Sequence, residues 1–371
     1  MAVQEHMLKL FDNTAALTFD RGGTKVLGMV SSEKESFAFE VICQTEGAVE
    51  TWLGVVELEM ASTLHTIHKR AVFEYPSEER VNWVKRNLGM VVNTGAQIWW
   101  TFETLDVFER VRAGNKMGMK NFALKNHQVL NDCIVAVRSP MPKVQTKRIN
   151  TLIIIDVHAR DIIDTFVRDS VLDEREFAWE SQLRFFWDKD IDNVKIRQCS
   201  GAFDYGYEYQ GLNGRLVITP LTDRCYMTCT QSLHYRLGCA PAGPAGTGKT
   251  ETVKDLSKAM SVQCKVFCCG EGLDFKAMGT IYSGLVQTGT QRSTALLSQP
   301  PPLSLTPAVV HAHVQAHGDA STSSIASRSR CSRWYLLKLR RSKPHSPTAS
   351  SASPLRGARS RSLRRLASTS R

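Results

Sequence analysis

Residues 240–256 have the sequence APAGPAGTGKTETVKDL, which contains the pattern G-x-x-x-x-G-K-[ST] without a mismatch. Gly243, Gly246 and Gly248 allow the backbone to curl so that successive N–H groups point at one anion. A helix that begins here adds the positive end of its dipole. The pattern therefore predicts a phosphate-binding loop in which Lys249 reaches the β- and γ-phosphates and Thr250 offers a hydroxyl to Mg²⁺.

The residues after the loop favour the same interpretation. Val253, Leu256 and Met260 recur at spacings of three and four, which predicts a helix directly after the loop. Residues 262–268 alternate as a core strand does. No apolar run ending in Asp-Glu follows, so the acid that helps to hold Mg²⁺ and the Glu that activates water are not recognised in this chain. Because losing a general base costs roughly 10²–10⁴ in rate, we expect very little ATP hydrolysis from this chain alone.

Residues 1 to about 200 are predicted to be mostly helical. One apolar stripe at helical spacing comprises Leu53, Val56, Leu58, Met60, Leu64, Ile67 and Val72. A second stripe comprises Ile98, Phe102, Leu105 and Phe108, and Gly114 follows it as a C-terminal cap. We expect Trp99 and Trp100 to be packing residues of this second helix rather than a binding platform.

Residues 149–169 combine a short β-branched run with an amphipathic helix, and His158 within them is predicted to be structural because no second ligand stands at metal spacing. Next, Phe203, Tyr205, Tyr207 and Tyr209 alternate ahead of Asn213-Gly214, a pair typical of tight turns. This pattern predicts a β-hairpin whose second strand ends at Pro220. A helix is then predicted up to Gly238.

The composition is that of a soluble globular protein large enough for two domains, with 371 residues, 42% hydrophobic and 22% charged. No apolar run reaches the roughly 18 residues needed to span a bilayer, and the N-terminus shows no secretory signal pattern. We therefore expect no membrane partner. The ten cysteines form no paired C-x-x-C sets, so reduced thiols, mostly in the core, are predicted.

The positive charge is concentrated in residues 290–371. This segment contains 14 of the 47 Lys and Arg residues but only one of the 36 Asp and Glu residues, Asp319, so it carries +13 and the remainder of the chain −2. It is rich in Ser, Ala, Pro and Arg, a composition that buries too little apolar surface to offset the entropy of ordering. A solvated, disordered tail is the favoured interpretation, and nucleic-acid binding is not.

The sequence from Arg215 to Gly289 closely resembles the opening of the first AAA+ module of dynein heavy chains. The segments that carry the resemblance are TPLTDR (219–224), GPAGTGKTET (243–252) and GEGLD (270–274). Upstream, FDNTAALTF (11–19), VETWLGVVELEM (49–60) and YGYEY (205–209) are similar to the C-terminal part of the dynein linker. The resemblance covers roughly residues 7–289, and it is to the axonemal rather than the cytoplasmic dyneins.

The resemblance implies a mixed fold: a mainly α-helical linker bundle, a partial α/β P-loop (AAA+) module and a disordered tail. The implied boundaries are 1–205 for the linker part, 206–289 for the hairpin and the first half of the module, and 290–371 for the tail. It also implies that ATP and Mg²⁺ are bound, with Thr250 on the metal. The implied nucleotide-binding residues are Gly243, Pro244, Ala245, Gly246, Thr247, Gly248, Lys249, Thr250 and Glu251, with Val217, Ile218, Pro220 and Leu221 along the adenine.

By the same resemblance, the function is that of a minus-end-directed microtubule motor of cilia and flagella. The implied partners are the microtubule, through a stalk missing here, and dynein intermediate and light chains. The implied location is the cytoplasm and cytoskeleton, in the axoneme. Two residues depart from the family pattern, Cys239 where Gly is usual and Cys268 where Asn is usual.

The acidic strand, the sensor residues, the arginine finger and the other ring modules are also missing. We therefore expect a fragment of a motor, and a frameshift, a retained intron or an incorrect gene model is favoured over a genuine short isoform as its origin. The alternatives are a non-catalytic helical protein that binds microtubules or another partner, and a gene product without function. A small P-loop kinase or GTPase is rejected, because such enzymes complete the phosphate site within their own domain.

Overall fold

The structure is a computed structural model. It describes residue 11, residues 13–264 except 236, 238, 240, 243 and 245, and residue 276. Expectations about residues 265–275 and about the tail lie outside the described residues. Within the described part the protein is mainly helical with two small antiparallel sheets. None of the described helices combines the length and apolar character that crossing a bilayer requires.

A three-stranded antiparallel sheet begins the fold. Its strands are β1 (Thr14–Phe19), β2 (Lys25–Ser31) and β3 (Ser36–Gln44), in the order β1-β2-β3. The β1–β2 turn is closed by Asp20, whose carboxylate accepts from the N–H groups of Thr24 and Lys25 at 2.9 and 3.1 Å. The prediction that residues 1 to about 200 are mostly helical does not hold for this first segment, which forms strands.

Six helices follow the sheet. They are α1 (Val49–Glu74), α2 (Arg80–Arg86), α3 (Gly89–Arg112), α4 (Gly118–Arg138), α5 (Lys143–Asp169) and α6 (Phe177–Glu180). A short 3-10 turn, Tyr75–Ser77, separates the first two. The β-branched run near residue 153 lies entirely inside α5, so it forms no strand. Gly114 follows α3 in a left-handed conformation at φ +104°, as predicted for the end of that helix.

The two predicted apolar stripes are confirmed in large part, with one error in each. In α1 the stripe faces the core except for Leu58, which is exposed. In α3, Phe102 is 60% exposed although it was expected inside. The buried face of α3 includes Thr101 and Thr104, whose hydroxyls donate to main-chain carbonyls four residues earlier at 2.9 and 2.7 Å. Because these satisfied threonines can be buried, the core-facing stripe is rotated away from Phe102.

The predicted packing role of the two tryptophans is confirmed, at the edge of the core. Trp99 stacks on Tyr75 with ring centroids 5.4 Å apart, and its indole N–H donates to the Val72 carbonyl at 2.8 Å. Trp100 packs on Trp179 at 5.5 Å. Both indoles are half-buried and committed to neighbouring helices.

The second sheet corrects the predicted hairpin. Its strands are β4 (Arg184–Asp188), β5 (Asn193–Gln198) and β6 (Gly201–Asp204), in the order β4-β5-β6. The tight turn lies at Cys199–Ser200, and neither Asn213 nor Gly214 has a positive φ. Residues 205–219 belong to no strand. Tyr205, Tyr207 and Tyr209 do alternate into the core, but the main chain between them pairs with the end of a helix instead.

Two more helices complete the described fold, α7 (Pro220–His234) and α8 (Lys249–Met260). Both were predicted, although α7 ends before Gly238. Residues 262–264, the described part of the predicted strand after α8, are not in a strand. One hydrophobic core is shared by most of these elements. It includes residues of β1–β3, α1, α3, β5, α7 and α8 and of the tyrosine segment, the name used below for residues 205–209. A second cluster lies between α3, α4, α5 and α6.

Candidate functional site

The loop before α8 has the backbone that its glycines make possible. Gly246 and Gly248 are left-handed, with φ of +78° and +76°, and a Cβ atom at either position would meet nothing within 4 Å. Both are exposed, and α8 begins at the next residue, Lys249. Left-handed backbone is costly for residues other than glycine, so the sequence G-x-G allows the chain to turn sharply into the helix. Gly243 and Ala245 lie outside the described residues.

The Lys249 side chain folds back over the loop. Its ammonium donates to the Pro244 carbonyl and, at 3.3 Å, to the Thr247 hydroxyl. The Thr247 hydroxyl in turn donates to the same Pro244 carbonyl at 2.9 Å. One cation and one hydroxyl therefore meet on the inside of the turn, next to the start of α8.

The first turn of α8 combines main-chain donors with polar side chains. The Gly248 carbonyl accepts from the N–H and the hydroxyl of Thr252, both at 2.9 Å, which fixes the turn. Thr250 is half-buried and Glu251 is exposed. The Glu251 carboxylate pairs with Lys254 at 2.8 Å. The N–H groups of the first turn have no partner inside a helix, so this end of α8 favours an anion.

A buried ion pair, which the sequence did not reveal, holds the middle of α8. The Arg215 guanidinium binds the Asp255 carboxylate through two bonds of 3.0 Å, and the Leu216 N–H donates to the same carboxylate at 2.9 Å. The Tyr226 hydroxyl of α7 adds a fourth donor at 2.5 Å. Arg215 and Asp255 have side chains only 6% and 1% exposed. One carboxylate therefore ties both the segment before α7 and α7 itself to α8.

The electrostatics of this cluster stabilise the charged forms. Burial works against the charge of Asp255, but Arg215 and the hydrogen bonds lower the pKa of this carboxyl below its usual value. Burial likewise works against the charge of Arg215, while Asp255 raises the pKa of the guanidinium. Burial and the nearby carboxylate raise the pKa of Tyr226, so its hydroxyl stays protonated and remains a donor.

The residues expected along the adenine lie beside this cluster. Val217 and Leu221 are 68% and 71% exposed, and Ile218 is packed against the core. Pro220 is the first residue of α7, and the Thr219 hydroxyl caps that helix by accepting from the Thr222 N–H at 3.3 Å. The Leu216 bond to Asp255 places this segment next to α8, with two apolar side chains in solvent.

The far end of α8 is anchored to the tyrosine segment by main-chain bonds. Gly206 N–H donates to the Met260 carbonyl and Glu208 N–H to the Ser261 carbonyl, both at 3.0 Å. The Ser261 hydroxyl donates to the Glu208 carbonyl at 2.8 Å. A Cβ atom on Gly206 would overlap the Ser261 carbonyl oxygen. The two segments of the chain can therefore approach this closely only because residue 206 is glycine. The glycine between two tyrosines was the only sequence signal for this contact.

A cavity of about 200 Å³ lies beside the second half of α8. Its lining includes Lys254, Lys258, Gln210 and Asn13, but not Lys249. It is therefore separate from the loop.

The predicted structural role of His158 fits its surroundings. It lies in α5 at 3.5 Å from Asp223 of α7, and burial lowers its pKa to about 4. Burial also raises the pKa of Asp223 to about 6, so at both residues burial works against the charged form. Among the residues that the structure describes, no three His, Cys, Asp or Glu side chains are grouped as metal ligands. The described cysteines are free thiols, and they are buried or half-buried.

Comparison with known proteins gives dynein heavy-chain matches for two separate parts of this chain. Residues 205–292 match the family described as "Hydrolytic ATP binding site of dynein motor region". Residues 1–71 match "Dynein heavy chain, N-terminal region 2". The first match contains the loop, α7 and α8, and the second contains the N-terminal sheet and most of α1.

Individual relatives agree with these matches. The chain is 64% identical over 288 residues to the Dynein-1-alpha heavy chain, flagellar inner arm I1 complex, of Chlamydomonas reinhardtii. It is 52% identical over 293 residues to human Dynein axonemal heavy chain 10, and 43% identical over 297 residues to human Dynein axonemal heavy chain 2. Each alignment covers 78% of this chain but only 6% or 7% of the relative.

The family matches cover the N-terminal sheet with most of α1, and the loop with α7 and α8, while the identity to the relatives covers 78% of the chain. We conclude that this chain belongs to the dynein heavy-chain family and that its sequence corresponds to a short part of such a chain.

Proposed function

We propose that residues 243–251 bind the phosphates of ATP together with Mg²⁺. The observation that carries the proposal is the pair of left-handed glycines, Gly246 and Gly248, directly before the N-terminus of α8. They turn the chain so that its main-chain donors and the helix dipole point to one side.

The side chains present fit a triphosphate with its metal. Lys249 places an ammonium at the loop, where it now bonds to Pro244 and Thr247 and where phosphate oxygens are stronger acceptors. Thr250 stands one residue further, half-buried, as an oxygen ligand for the metal. Hard oxygen donors and few protein ligands are what Mg²⁺ accepts when phosphates supply the others. When bound, Mg²⁺ neutralises phosphate charge.

We assign Val217, Ile218, Pro220 and Leu221 to the adenine side. Val217 and Leu221 are apolar side chains left in solvent, and an aromatic base would cover such groups. Arg215 and Leu216, directly before these residues, bond to Asp255 of α8. The buried ion pair therefore holds the proposed adenine side close to the helix that follows the loop.

At the level of the whole protein, we propose a motor of cilia and flagella that hydrolyses ATP and moves on microtubules, together with intermediate and light chains. The support is the sequence identity to relatives that are axonemal and flagellar dynein heavy chains. This places the chain in the cytoskeleton, in the axoneme. The linker boundaries at 1–205 and the partial AAA+ module at 206–289 are part of the same proposal.

For a polypeptide of this sequence we further propose nucleotide binding with very slow turnover. No apolar run ending in Asp-Glu follows the loop, so the polypeptide lacks a recognisable acid and base for the chemical step.

The test is ATP binding to the purified 371-residue chain, measured by calorimetry with and without Mg²⁺. Lys249→Ala should weaken binding about tenfold to hundredfold, since charge-assisted hydrogen bonds contribute about 1.5–3 kcal/mol. Lys189→Ala, at an exposed lysine outside the loop, is the matched control and should leave affinity unchanged. Equal affinity for the Lys249→Ala variant and the wild-type chain would contradict the assignment, and no binding at all would favour the non-catalytic alternative.

A further inference from the structure

Strand β3 contains a bulge that brings two neighbouring aliphatic side chains into solvent. The pairing of β2 with β3 shifts between Val26 and Gly28, so that residues 39–42 of β3 lie opposite a single residue of β2. The regular alternation of inward and outward side chains is lost over these four residues. As a result Val41 and Ile42 are both exposed, at 64% and 50%.

Side chains of α1 hold this bulge in place. The Glu40 N–H donates to the Thr63 hydroxyl at 3.0 Å. The Val41 N–H donates to the Glu59 carboxylate at 2.9 Å. The Glu40 carboxylate in turn accepts from the Thr66 hydroxyl at 3.1 Å. Because the outer edge of β3 is bonded to a helix at these points, the bulge is a fixed part of the fold.

Two aliphatic side chains of α1 continue the apolar surface. Val55 lies one helical turn before Glu59, which bonds to the bulge, and Leu58 lies three residues after Val55. They are 48% and 49% exposed. We call Val41, Ile42, Val55 and Leu58 the β3–α1 patch. Adjoining apolar side chains in solvent mark interaction surfaces, whereas single exposed ones are common and need no explanation.

The surroundings of the β3–α1 patch are acidic. Residues 36–64, which include the whole patch, contain five Glu residues and neither Asp, Lys nor Arg. Two of the five, Glu40 and Glu59, bond to or within the bulge itself. A carboxylate offers about four acceptor positions, so both can accept further hydrogen bonds from a cationic group. The patch is therefore complementary to a ligand that is both apolar and positively charged.

We propose that the β3–α1 patch binds a basic amphipathic helix of a partner chain. Its aliphatic side chains cover the patch, and its Lys or Arg side chains lie on the surrounding carboxylates. An amphipathic helix places apolar groups on one face with charges beside them, which matches this arrangement. The proposal is independent of nucleotide binding at residues 243–251.

Two other occupants fit the patch less well. An extended strand pairs through main-chain bonds, and the N–H groups of Glu40 and Val41 that it needs are already bonded to α1. A second copy of this chain would bring five carboxylates against five, and like charges repel. A helix uses only side chains at the interface, and its cations are attracted to the same carboxylates.

The test is the binding of a synthetic peptide to the full 371-residue chain. A peptide of about 18 Leu and Lys residues, arranged as an amphipathic helix and labelled with fluorescein, is titrated by fluorescence anisotropy. The control peptide has the same composition in scrambled order, so its charge is identical. We expect the amphipathic peptide to bind at least about tenfold more tightly. Its affinity should fall about threefold between about 50 and 300 mM NaCl, since salt screens exposed charges.

Variants of the chain separate the apolar from the charged contribution. Val55→Ser/Leu58→Ser removes half of the patch without touching the bonds of the bulge, and it should weaken binding at least about tenfold. Leu124→Ser, at a leucine 69% exposed on α4, is the matched control and should bind as the wild-type chain does. Glu40→Gln keeps an acceptor for Thr66 but removes one charge. It should weaken binding about twofold to fivefold and reduce the dependence on salt.

Cross-linking locates the bound peptide without any variant of the chain. A photo-reactive leucine replaces one Leu of the amphipathic peptide, and the cross-linked chain is digested with trypsin. Because no Lys or Arg lies between Lys34 and Lys69, the digest releases residues 35–69 as one fragment that contains the whole patch. We expect the cross-link in this fragment, at residues 41–42 or 55–58.

Three results would overturn the proposal. They are equal affinity for the two peptides (or no binding of either), unchanged affinity of Val55→Ser/Leu58→Ser, and cross-links confined to residues outside 35–69. Light scattering of the chain without peptide adds a fourth: self-association that Val55→Ser/Leu58→Ser abolishes would make a second copy the occupant. Failure of the chain to bind ATP changes none of these measurements, so the proposed function and this proposal fail separately.

Discussion

Arg215 and Asp255, forty residues apart in sequence, form a bidentate ion pair that is almost completely buried. Burying two charges costs several kcal/mol per ion, and here the cost is offset by the paired geometry and by two more donors, Leu216 and Tyr226. The pair joins the helix after the loop to the segment assigned to the adenine. Stability and the candidate site therefore depend on the same carboxylate.

Asp255→Ala should destabilise the chain by about 3–5 kcal/mol, since it leaves the Arg215 guanidinium buried without a counter-charge. The double variant Arg215→Met/Asp255→Leu should lose clearly less, because no charge then remains to be solvated. Urea unfolding of the three proteins measures both effects. Asp169→Asn, in an exposed pair with Arg168, should leave the midpoint unchanged. A double variant as unstable as Asp255→Ala would show that the loss comes from packing and not from charge.

Gly206→Ala should detach the end of α8, because the added methyl group overlaps the Ser261 carbonyl. We expect a loss of about 1–3 kcal/mol, as for other overpacked positions, and faster hydrogen exchange of the Gly206 and Glu208 amides. Gly214→Ala is the control, because a Cβ atom there meets nothing within 4 Å and the residue has no positive φ. It should be neutral or slightly stabilising. Equal stability of the two variants would contradict the close approach.

Gly248→Ala should weaken ATP binding, since φ of +76° costs an alanine about 1–2 kcal/mol and the turn would relax away from it. Gly23→Ala is matched to it: its φ is +69°, a Cβ atom there also meets nothing within 4 Å, and it lies in the β1–β2 turn. Both variants should lose similar stability in thermal unfolding, but only Gly248→Ala should lose affinity in calorimetry. Loss of affinity in both would mean that the loop backbone is not the cause.

His68 should make the chain sensitive to acid. It is fully buried, its ring Nδ1–H donates to the Leu64 carbonyl at 2.7 Å, and the rings of Tyr205 and Tyr207 pack against it. Burial lowers its pKa to about 4, below its unfolded value of about 6.5. The unfolded chain therefore binds a proton that the folded chain does not, and the free energy of unfolding falls as the pH decreases from 6.5 to 4.

Between pH 7 and pH 5 this one group should cost about 2 kcal/mol. His158 acts in the same direction, whereas Asp223, with a raised pKa, contributes stability that is present below its unfolded pKa and is lost as the pH rises through about 6. These two contributions largely oppose each other. Urea unfolding at both pH values should show the loss in the wild-type chain and its near absence in His68→Leu. The same loss in both proteins would assign the acid sensitivity to another group.

The local features of the site could be predicted from sequence. The spacing of Gly248 and Lys249, followed by Val253, Leu256 and Met260, specifies a turn and an amphipathic helix within a few residues, and the structure has both. Their roles in binding stay predictions. The Arg215–Asp255 pair could not be predicted, because nothing in either neighbourhood indicates a partner forty residues away.

The two main errors arise where hydrogen bonds of the folded chain differ from what the local pattern indicates. Asn213-Gly214 favours a tight turn, but Tyr205, Tyr207 and Tyr209 are buried and the main chain between them bonds to Met260 and Ser261, which leaves no second strand to pair with. Phe102 has the spacing of a core residue, yet Thr101 and Thr104 occupy the core-facing side of α3. Their hydroxyls can be buried because they donate to carbonyls of the same helix. In the first case main-chain bonds to a segment distant in sequence outweigh the local pattern, and in the second the hydroxyls bond within their own helix, which lets threonine occupy the buried side.

The anchoring of α8 at both ends has a mechanical consequence. Its twelve residues make a strut about 18 Å long, with the glycine turn at one end and the tyrosine segment at the other. Asp255 resists rotation about the long axis, so the strut responds to a pull at its first turn mainly by tilting. Such a tilt would shear the hydrogen bonds at Met260 and Ser261, so strain from the proposed phosphate binding would reach the buried tyrosines at positions 205, 207 and 209.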